Sequence, residues 1–146
     1  MVTTGDYAGD LSTRDAWATL EGNADAQLVD VRTTAEWSFV GLPDISKLGR
    51  EVLCVEWQSF PDMTPNEEFV AAVSAILERA GASHGSPVLF LCRSGARSRA
   101  AAIAMTRAGY TQSYNIAGGF EGDLDEERHR GRRNGWKFEG LPWRQG

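Results

Sequence analysis

Apolar residues recur at helical spacing in three segments of the chain. The first predicted helix opens at residues 12–15, where a capping serine stands three positions before an acid, and it ends at Gly22. The second opens at residues 64–67 with a cap hydroxyl, a proline and a glutamate, and Gly81 follows its last turn. The third covers residues 98–107.

Short apolar runs alternate with these helices and predict strands. The runs are residues 28–31, 53–55, 87–91 and 113–116. The run at 87–91 is apolar on both faces, so we expect it in the centre of a parallel sheet. Gly118 and Gly119 then predict a turn. The alternation predicts an α/β domain with a central parallel sheet of about five strands, helices on both faces, and a ligand at the carboxyl ends of the strands.

Length and composition narrow the class of protein. A chain of 146 residues fits one domain spanning residues 1–146. Five tryptophans and six phenylalanines argue against a disordered chain. The absence of a long apolar run and of a secretory signal predicts a cytoplasmic protein that does not bind membranes. Both cysteines are therefore expected to be free thiols.

Charge is distributed unevenly along the chain. The net charge of −5 argues against a nucleic-acid partner. Residues 1–127 carry nine basic and 19 acidic side chains, whereas residues 128–146 carry six basic and one acidic. Between Glu78 and Glu121 there are five arginines and no acid, which predicts an anion-binding region. The charged segment 121–133 is interpreted as a solvated turn or helix, with a protein docking surface as the alternative.

The strongest candidate for chemistry is the loop that follows the predicted central strand. It reads Cys92-Arg93-Ser94-Gly95-Ala96-Arg97-Ser98 and leads directly into a helix. Such a loop can aim its backbone N–H groups inward, and the helix N-terminus adds partial positive charge. A thiolate at its floor is a good nucleophile, and the small residues at 94–96 let the backbone approach an anion closely. The sequence therefore predicts a cysteine-based anion site.

Spacing within the loop distinguishes between chemistries. Tyrosine-phosphatase-type enzymes use Cys-x5-Arg, with the arginine gripping phosphate in a bidentate manner. Here the sixth position after Cys92 is Ser98, and Arg97 stands one position too early. A smaller loop favours a smaller electrophile, such as the sulfane sulfur of thiosulfate.

On these residues the sequence resembles the rhodanese-like (sulfurtransferase) family over residues 11–143. The resemblance rests on the following motifs: Leu28-Val29-Asp30-Val31-Arg32, Glu36-Trp37, Gly41-Leu42-Pro43, the Cys92 loop, and Asn115-Ile116-Ala117-Gly118-Gly119-Phe120. The chain departs from the family at Asp44, since many members read Gly-His-Ile-Pro-Gly-Ala where residues 41–44 stand, and a longer segment follows to Thr64.

The resemblance implies that Cys92 attacks a small anionic sulfur donor, becomes a persulfide, and passes the outer sulfur to a thiol, cyanide or a protein acceptor. The residues suggest matching roles without it. The amides of residues 93–98 can satisfy an anionic persulfide, and Arg93 and Arg97 supply charge, with Arg97 ordering the loop. Ser94 and Ser98 offer hydroxyls to the sulfur, while Ser98 could equally be a helix N-cap.

Other residues are given supporting or structural roles. Asp30, at a strand end, is expected to cap a turn or hold an arginine, and Arg32 to pair with Glu36. Cys54 is interpreted as a core residue. Trp57, Phe60 and Met63 could line the mouth of the pocket, with plain packing as the alternative. Trp136 and residues 140–143 are expected to pin the C-terminal segment onto the domain.

The two histidines and the competing functional classes remain to be considered. His84 and His129 have no cysteine or carboxylate at metal spacing, so neither a metal nor another cofactor is expected. A non-catalytic rhodanese-like module, which binds a partner or senses sulfur and oxidants, remains the alternative to an enzyme. A phosphatase or arsenate reductase is a third class, which the arginine spacing disfavours.

Overall fold

The computed structural model describes residues 6–59 and 64–145. The strands, in chain order, are β1 (Gly9–Leu11), β2 (Gln27–Asp30), β3 (Leu42–Pro43), β4 (Leu53–Cys54), β5 (Gln58–Ser59), β6 (Thr64–Pro65), β7 (Val88–Leu91), β8 (Ser113–Ile116) and β9 (Trp143–Arg144). The α-helices are α1 (Thr13–Gly22), α2 (Thr34–Phe39), α3 (Phe69–Arg79) and α4 (Ala96–Arg107), and a 3-10 turn covers Ser46–Leu48.

Five strands form one parallel sheet in the order β1-β8-β7-β2-β4. β7 lies in the centre, between β8 and β2, and all four of its side chains are buried. Short antiparallel pairs form outside the sheet between β3 and β9 and between β5 and β6. The prediction of a parallel sheet of about five strands, with 87–91 in its centre, is confirmed.

Helices cover both faces of this sheet, as predicted. Side chains of α3 and α4, including Phe69, Val73 and Met105, pack on one face together with Phe90. The other face packs against α1 and the C-terminal segment, through Leu20, Phe120 and Trp136. The two cores hold the β7–α4 connection between them, which fixes where the cysteine loop lies.

Helix α1 begins where its cap predicts, because the Ser12 hydroxyl accepts a hydrogen bond from the Asp15 amide. The predicted start of α3 is wrong: residues 64–65 form β6, and the helix begins at Phe69. Asn66 explains the difference. Its backbone and side-chain amides donate to the carbonyls of Trp57 and Glu56, and its side-chain oxygen accepts from the Glu68 amide. These bonds hold residue 66 beside residues 56–57, and a turn at residues 67–68 then leads into the helix.

Helix α4 begins at Ala96, two residues earlier than predicted. Its N-cap is Gly95, whose φ of +129° few other residues adopt. The N-cap interpretation of Ser98 is therefore wrong. Ser98 lies in the first turn of the helix, buried, with its hydroxyl available for contacts inside the loop.

The C-terminal segment is held against the domain as predicted. Trp136 is fully buried, packs edge-on against Trp17, and donates its indole N–H to the carbonyl of Pro142 at 2.6 Å. Trp143 continues into β9 beside Pro43. Among the helices of the described residues, none is long and apolar enough to cross a bilayer.

Candidate functional site

The cysteine loop lies at the carboxyl end of β7, between the central strand and α4. Cys92 is only 2% exposed. The loop backbone is anchored by the turn after β8, because the Phe120 amide donates to the Cys92 carbonyl at 2.9 Å and the Glu121 amide to the Arg93 carbonyl at 3.0 Å. The loop is thus held at its base by two neighbouring strands.

Gly119 permits this close approach. Its φ is +60°, and a Cβ at this position would lie 2.5 Å from the Cys92 carbonyl oxygen and 2.6 Å from that of Arg93. Any side chain here would push the loop away from the turn. The second glycine of the predicted turn therefore has a packing role as well as a conformational one.

The sulfur of Cys92 faces two polar groups. The Gly95 amide donates to Sγ at 3.1 Å, and the Ser98 hydroxyl oxygen lies 3.2 Å from Sγ. Ser98 Oγ is also 2.6 Å from Asn115 Oδ1. Two roles were open for Ser98, contact with the sulfur and capping of the helix, and in the structure Ser98 contacts the sulfur.

Arg97 is tied to α2 instead of pointing freely into the loop. Its Nη1 and Nη2 donate to Glu36 Oε1 and Oε2 at 2.7 and 3.0 Å, in bidentate geometry. Thr33 caps α2 and also bonds to Glu36 through its amide and hydroxyl. Burial raises the pKa of Glu36, but the bonds from Arg97 and Thr33 outweigh it and lower that pKa to about 2. Both charges are therefore kept at neutral pH.

Glu36 does not pair with Arg32, so that prediction is wrong. Arg32 instead pairs with Asp30, with 2.7 Å between Nη2 and Oδ2, and both side chains are fully buried. Arg32 also donates to the Gly41 carbonyl and lies over the ring of Phe120, 4.3 Å from its centroid. Asp30 accepts from the Arg32 amide as well, so it both caps the turn and holds the arginine. This buried pair joins β2 to the turn beneath the loop.

The remaining loop residues lie at the surface. The Arg93 side chain is exposed. Ser94, Gly95 and Ala96 line an open pocket of about 390 Å³ that is also bordered by Asp10 and Arg99. The structure thus brings the predicted residues 92–98 together in one loop. Arg32 lies over the ring of Phe120, whose amide bonds to the Cys92 carbonyl, and a supporting role for Asp30 and Arg32 stays a prediction.

The other aromatic and cysteine candidates are structural. Trp57 packs edge-on against Phe69, with ring centroids 4.9 Å apart. This contact favours plain packing over a place at the mouth of the pocket. Phe60 and Met63 lie outside the described residues. Cys54 is half-buried on the edge strand β4, not in the core as predicted. Burial, assisted by the charge of Asp30, raises the pKa of Cys54 to about 12, so this thiol is a poor nucleophile at neutral pH.

Neither histidine has a metal-binding environment. His84 stacks on Tyr110, with ring centroids 4.4 Å apart, and the amide of His129 bonds to Asp125. Within residues 6–59 and 64–145, no group of three or more potential ligands could hold an ion.

The charged segment at 121–133 forms turns and bends, without a helix in its described residues. Arg132 lies 3.7 Å from Asp125 and 3.8 Å from Glu127, and Arg130 donates to the Gly122 carbonyl. These contacts fit the interpretation of a solvated turn with opposite charges. A docking surface here stays a prediction.

Two residues at the site have no predicted role. Asn115, although part of the quoted motif, contacts Ser98, and Asp10 accepts from Asn115 Nδ2 at 2.9 Å. No local pattern could predict that Asp10 belongs to the site, because Asp10 and its partner Asn115 are 105 positions apart. An asparagine inside an apolar strand was the available signal, since a buried amide requires partners.

Comparisons with known proteins define the family. The family model described as the STR4 middle domain matches residues 8–146, so the chain belongs to that family. An uncharacterized protein of Rickettsia conorii is 38% identical over 128 residues, which cover 88% of this chain and 90% of the relative. A second uncharacterized protein, from Rickettsia prowazekii, is 36% identical over 121 residues, covering 83% and 85%.

Two solved structures share the fold. The crystal structure of Rv0390 from M. tuberculosis has a TM-score of 0.83 and 53% identity, covering 96% of this chain and 99% of its own. The polysulfide-sulfur transferase homodimer from Wolinella succinogenes has a TM-score of 0.58 and 23% identity, covering 98% and 82%. At 23% identity the second likeness concerns the fold alone, and the matching family model is the STR4 middle domain, not a rhodanese model.

Proposed function

We propose that this protein is a sulfurtransferase that moves sulfane sulfur from a small anionic donor, such as thiosulfate, to a thiol or cyanide through a persulfide on Cys92. The observation that carries the proposal is the position of the sulfur. Cys92 Sγ lies at the floor of a strand-to-helix loop, within 3.1 Å of the Gly95 amide, at the N-terminus of a 12-residue helix. The likeness in fold to a sulfurtransferase supports the same reaction.

The transfer balances without a cofactor. The Cys92 thiolate attacks the outer sulfur of thiosulfate, forming a new S–S bond while the old one breaks and sulfite leaves with the electron pair. The persulfide anion then gives its outer sulfur to cyanide, which leaves as thiocyanate and returns the thiolate. Backbone amides of the loop are suited to the charge on the outer sulfur.

Charge at the loop favours an anionic donor. Because Arg97 is committed to Glu36, the exposed Arg93 is the loop cation left to attract the donor. Arg97 then acts as a positioning residue that keeps the loop closed against α2. A double charge on thiosulfate is attracted to Arg93 over a range set by salt, so loading should slow as ionic strength rises.

Intact mass spectrometry after incubation with thiosulfate tests the proposal. We expect a gain of one sulfur atom, lost on adding cyanide with release of thiocyanate. Cys92→Ser should abolish the gain, and Cys54→Ser, the matched control, should keep it. Absence of any sulfur gain in the unaltered protein would refute the proposal and favour the non-catalytic module.

Loop size provides a second test, against the phosphatase alternative. With Arg97 five positions after Cys92, the loop is one residue shorter than a phosphatase loop. We expect little hydrolysis of an aryl phosphate by the unaltered protein. Inserting a glycine between Ala96 and Arg97 should weaken sulfur loading, because Arg97 could no longer both pair with Glu36 and keep the loop around the sulfur. Efficient aryl phosphate hydrolysis without persulfide formation would contradict this interpretation.

A further inference from the structure

A chain of hydrogen bonds runs from the loop cysteine to the first strand. Ser98 Oγ lies 3.2 Å from Cys92 Sγ and 2.6 Å from Asn115 Oδ1. Asn115 Nδ2 donates to Asp10 Oδ1 at 2.9 Å, and the hydroxyl of Tyr7 donates to the same oxygen at 2.9 Å. Ser98, Asn115 and Tyr7 are buried and Asp10 is exposed, and both Asn115 and Asp10 line the open pocket.

Counting protons fixes the direction of each bond. The Asp10 carboxylate can only accept, so the Asn115 amide must turn Nδ2 toward Asp10 and Oδ1 toward Ser98. A serine hydroxyl has one proton, and the 2.6 Å contact shows that Ser98 gives it to Asn115. Ser98 is then left as an acceptor on the side that faces Cys92. A thiol can donate to it, but a thiolate cannot.

Tyr7 fixes the far end of the chain. Burial, together with the hydrogen bond to Asp10 and the charge of Asp10, outweighs the opposing charge and hydrogen bond of Arg99 and raises the pKa of Tyr7 above its ordinary value. Its hydroxyl therefore keeps its proton and continues to donate. With two donors on one oxygen, the position of the Asp10 carboxylate is well defined.

We propose that Asn115, oriented by Asp10, is a positioning residue that holds the proton of the Ser98 hydroxyl away from the Cys92 sulfur and so denies the thiolate a hydrogen bond in the unloaded protein. The proposal rests on the proposed function for its purpose. In the persulfide the charge lies on the outer sulfur and not on the inner sulfur that faces Ser98, so the missing hydrogen bond costs the persulfide less than it costs the thiolate. The chain therefore disfavours the bare thiolate, which is the form that oxidants attack.

Other charged groups belong to the loop and to the elements around it, and of these Arg97 lies within electrostatic range of Cys92. They are the Asp30–Arg32 pair after β2, the Glu36–Arg97 pair between α2 and the loop, and the arginines Arg93 and Arg99 of the loop and α4. All of them stay unchanged in the variants below, so their fields act as a constant background.

The rate of Cys92 alkylation by iodoacetamide, measured against pH in a Cys54→Ser background, tests the proposal. In Asn115→Ala the Ser98 proton becomes free to bond the thiolate. We expect the pH of half-maximal rate to fall by about one unit, the size of one hydrogen bond to a charged group. Well below that pH there is about tenfold more thiolate, each about threefold less nucleophilic, so alkylation should be about threefold faster.

Variants of Asp10 separate orientation from charge. Asp10→Ala releases the Asn115 amide and should shift the profile in the same direction. Asp10→Asn removes the charge but keeps an oxygen that can accept from both Tyr7 and Asn115, so it should restore the profile of the unaltered protein. Asp123→Ala removes a carboxylate that lines the same pocket but is not part of the hydrogen-bond chain. This variant should leave the pH profile of alkylation unchanged.

Ser98→Ala completes a double-mutant cycle. If Asn115 acts through Ser98, then Asn115→Ala should cause no further shift once the hydroxyl is absent. Near-UV circular dichroism of each variant checks that the fold is kept, and Asp10→Ala and Asn115→Ala give two independent routes to the same shift.

An unchanged or raised midpoint in Asn115→Ala would overturn the proposal, as would an equal shift in Asp10→Asn and Asp10→Ala. Alkylation requires no sulfur donor, so these outcomes do not depend on persulfide formation. A protein that never gains sulfur from thiosulfate but shows the expected shifts would refute the proposed function alone.

Discussion

The Glu36–Arg97 pair sets how stability depends on pH. Glu36 has a pKa of about 2 in the folded protein against 4.5 as its ordinary value, a difference that corresponds to about 3 kcal/mol. Water still reaches a fifth of the Glu36 side chain, and 16% of that of Arg97, so solvent screens the pair. We therefore expect Glu36→Gln to lower the free energy of unfolding by about 2 kcal/mol at neutral pH. The glutamine keeps the shape and one acceptor, which confines the change to charge.

The sign of the pH dependence follows from the lowered pKa. The stabilisation is fully present above pH 4.5 and is lost as pH falls toward 2, where Glu36 becomes protonated in the folded protein too. Urea unfolding, followed by tryptophan fluorescence at about pH 7 and about pH 3, should show the difference between the two proteins shrinking at the lower pH. Glu78→Gln, an exposed site on α3, is the matched control. A difference that is equal at both pH values would refute the assignment of this energy to the ion pair.

Three further changes have defined outcomes. Because the pKa of Cys54 is raised to about 12, iodoacetamide at about pH 8 should leave Cys54 unmodified while the loop cysteine reacts, as peptide mapping will show. Gly119→Ala should lower stability by about 2 kcal/mol or more in thermal unfolding, and it should slow sulfur loading. Gly131 also has a positive φ, but no atom lies within 4 Å of an added Cβ, so Gly131→Ala should lower stability less. Arg32→Met should cost about 3–5 kcal/mol in urea unfolding because Asp30 is left buried without its partner, and adding Asp30→Asn should recover part of the loss.

The elements that the sequence predicts correctly are those whose signals are local. The run at β7 is apolar on both faces because it is central, and α1 has its cap beside its first turn. β1 has only three residues and no alternation, and its place is set by pairing with β8 near the other end of the chain. The local cap signal at residues 64–67 predicts too early a start for α3, because pairing of β5 with β6 overrides it.

The candidate site divides in the same way. Residues 92–98 are contiguous, so their chemistry could be predicted from spacing alone. The partner of Arg97 lies 61 positions away, on a short helix that no strong periodicity marks, and the nearer Arg32 was a plausible but wrong partner for Glu36. Contacts between distant residues depend on topology, which a short motif does not encode.

The contact between Asp10 and Asn115 has a consequence for the timing of folding. It joins residues 105 positions apart, and β1 can enter the sheet only after β8 exists. On a growing chain the cysteine is synthesised before the strand and turn that anchor its loop through Gly119 and Phe120. Long-range closure of this kind is slow compared with helix formation. We therefore expect the Cys92 sulfur to gain its native surroundings late in folding, so that the proposed sulfur loading would report on completed folding of the whole sheet.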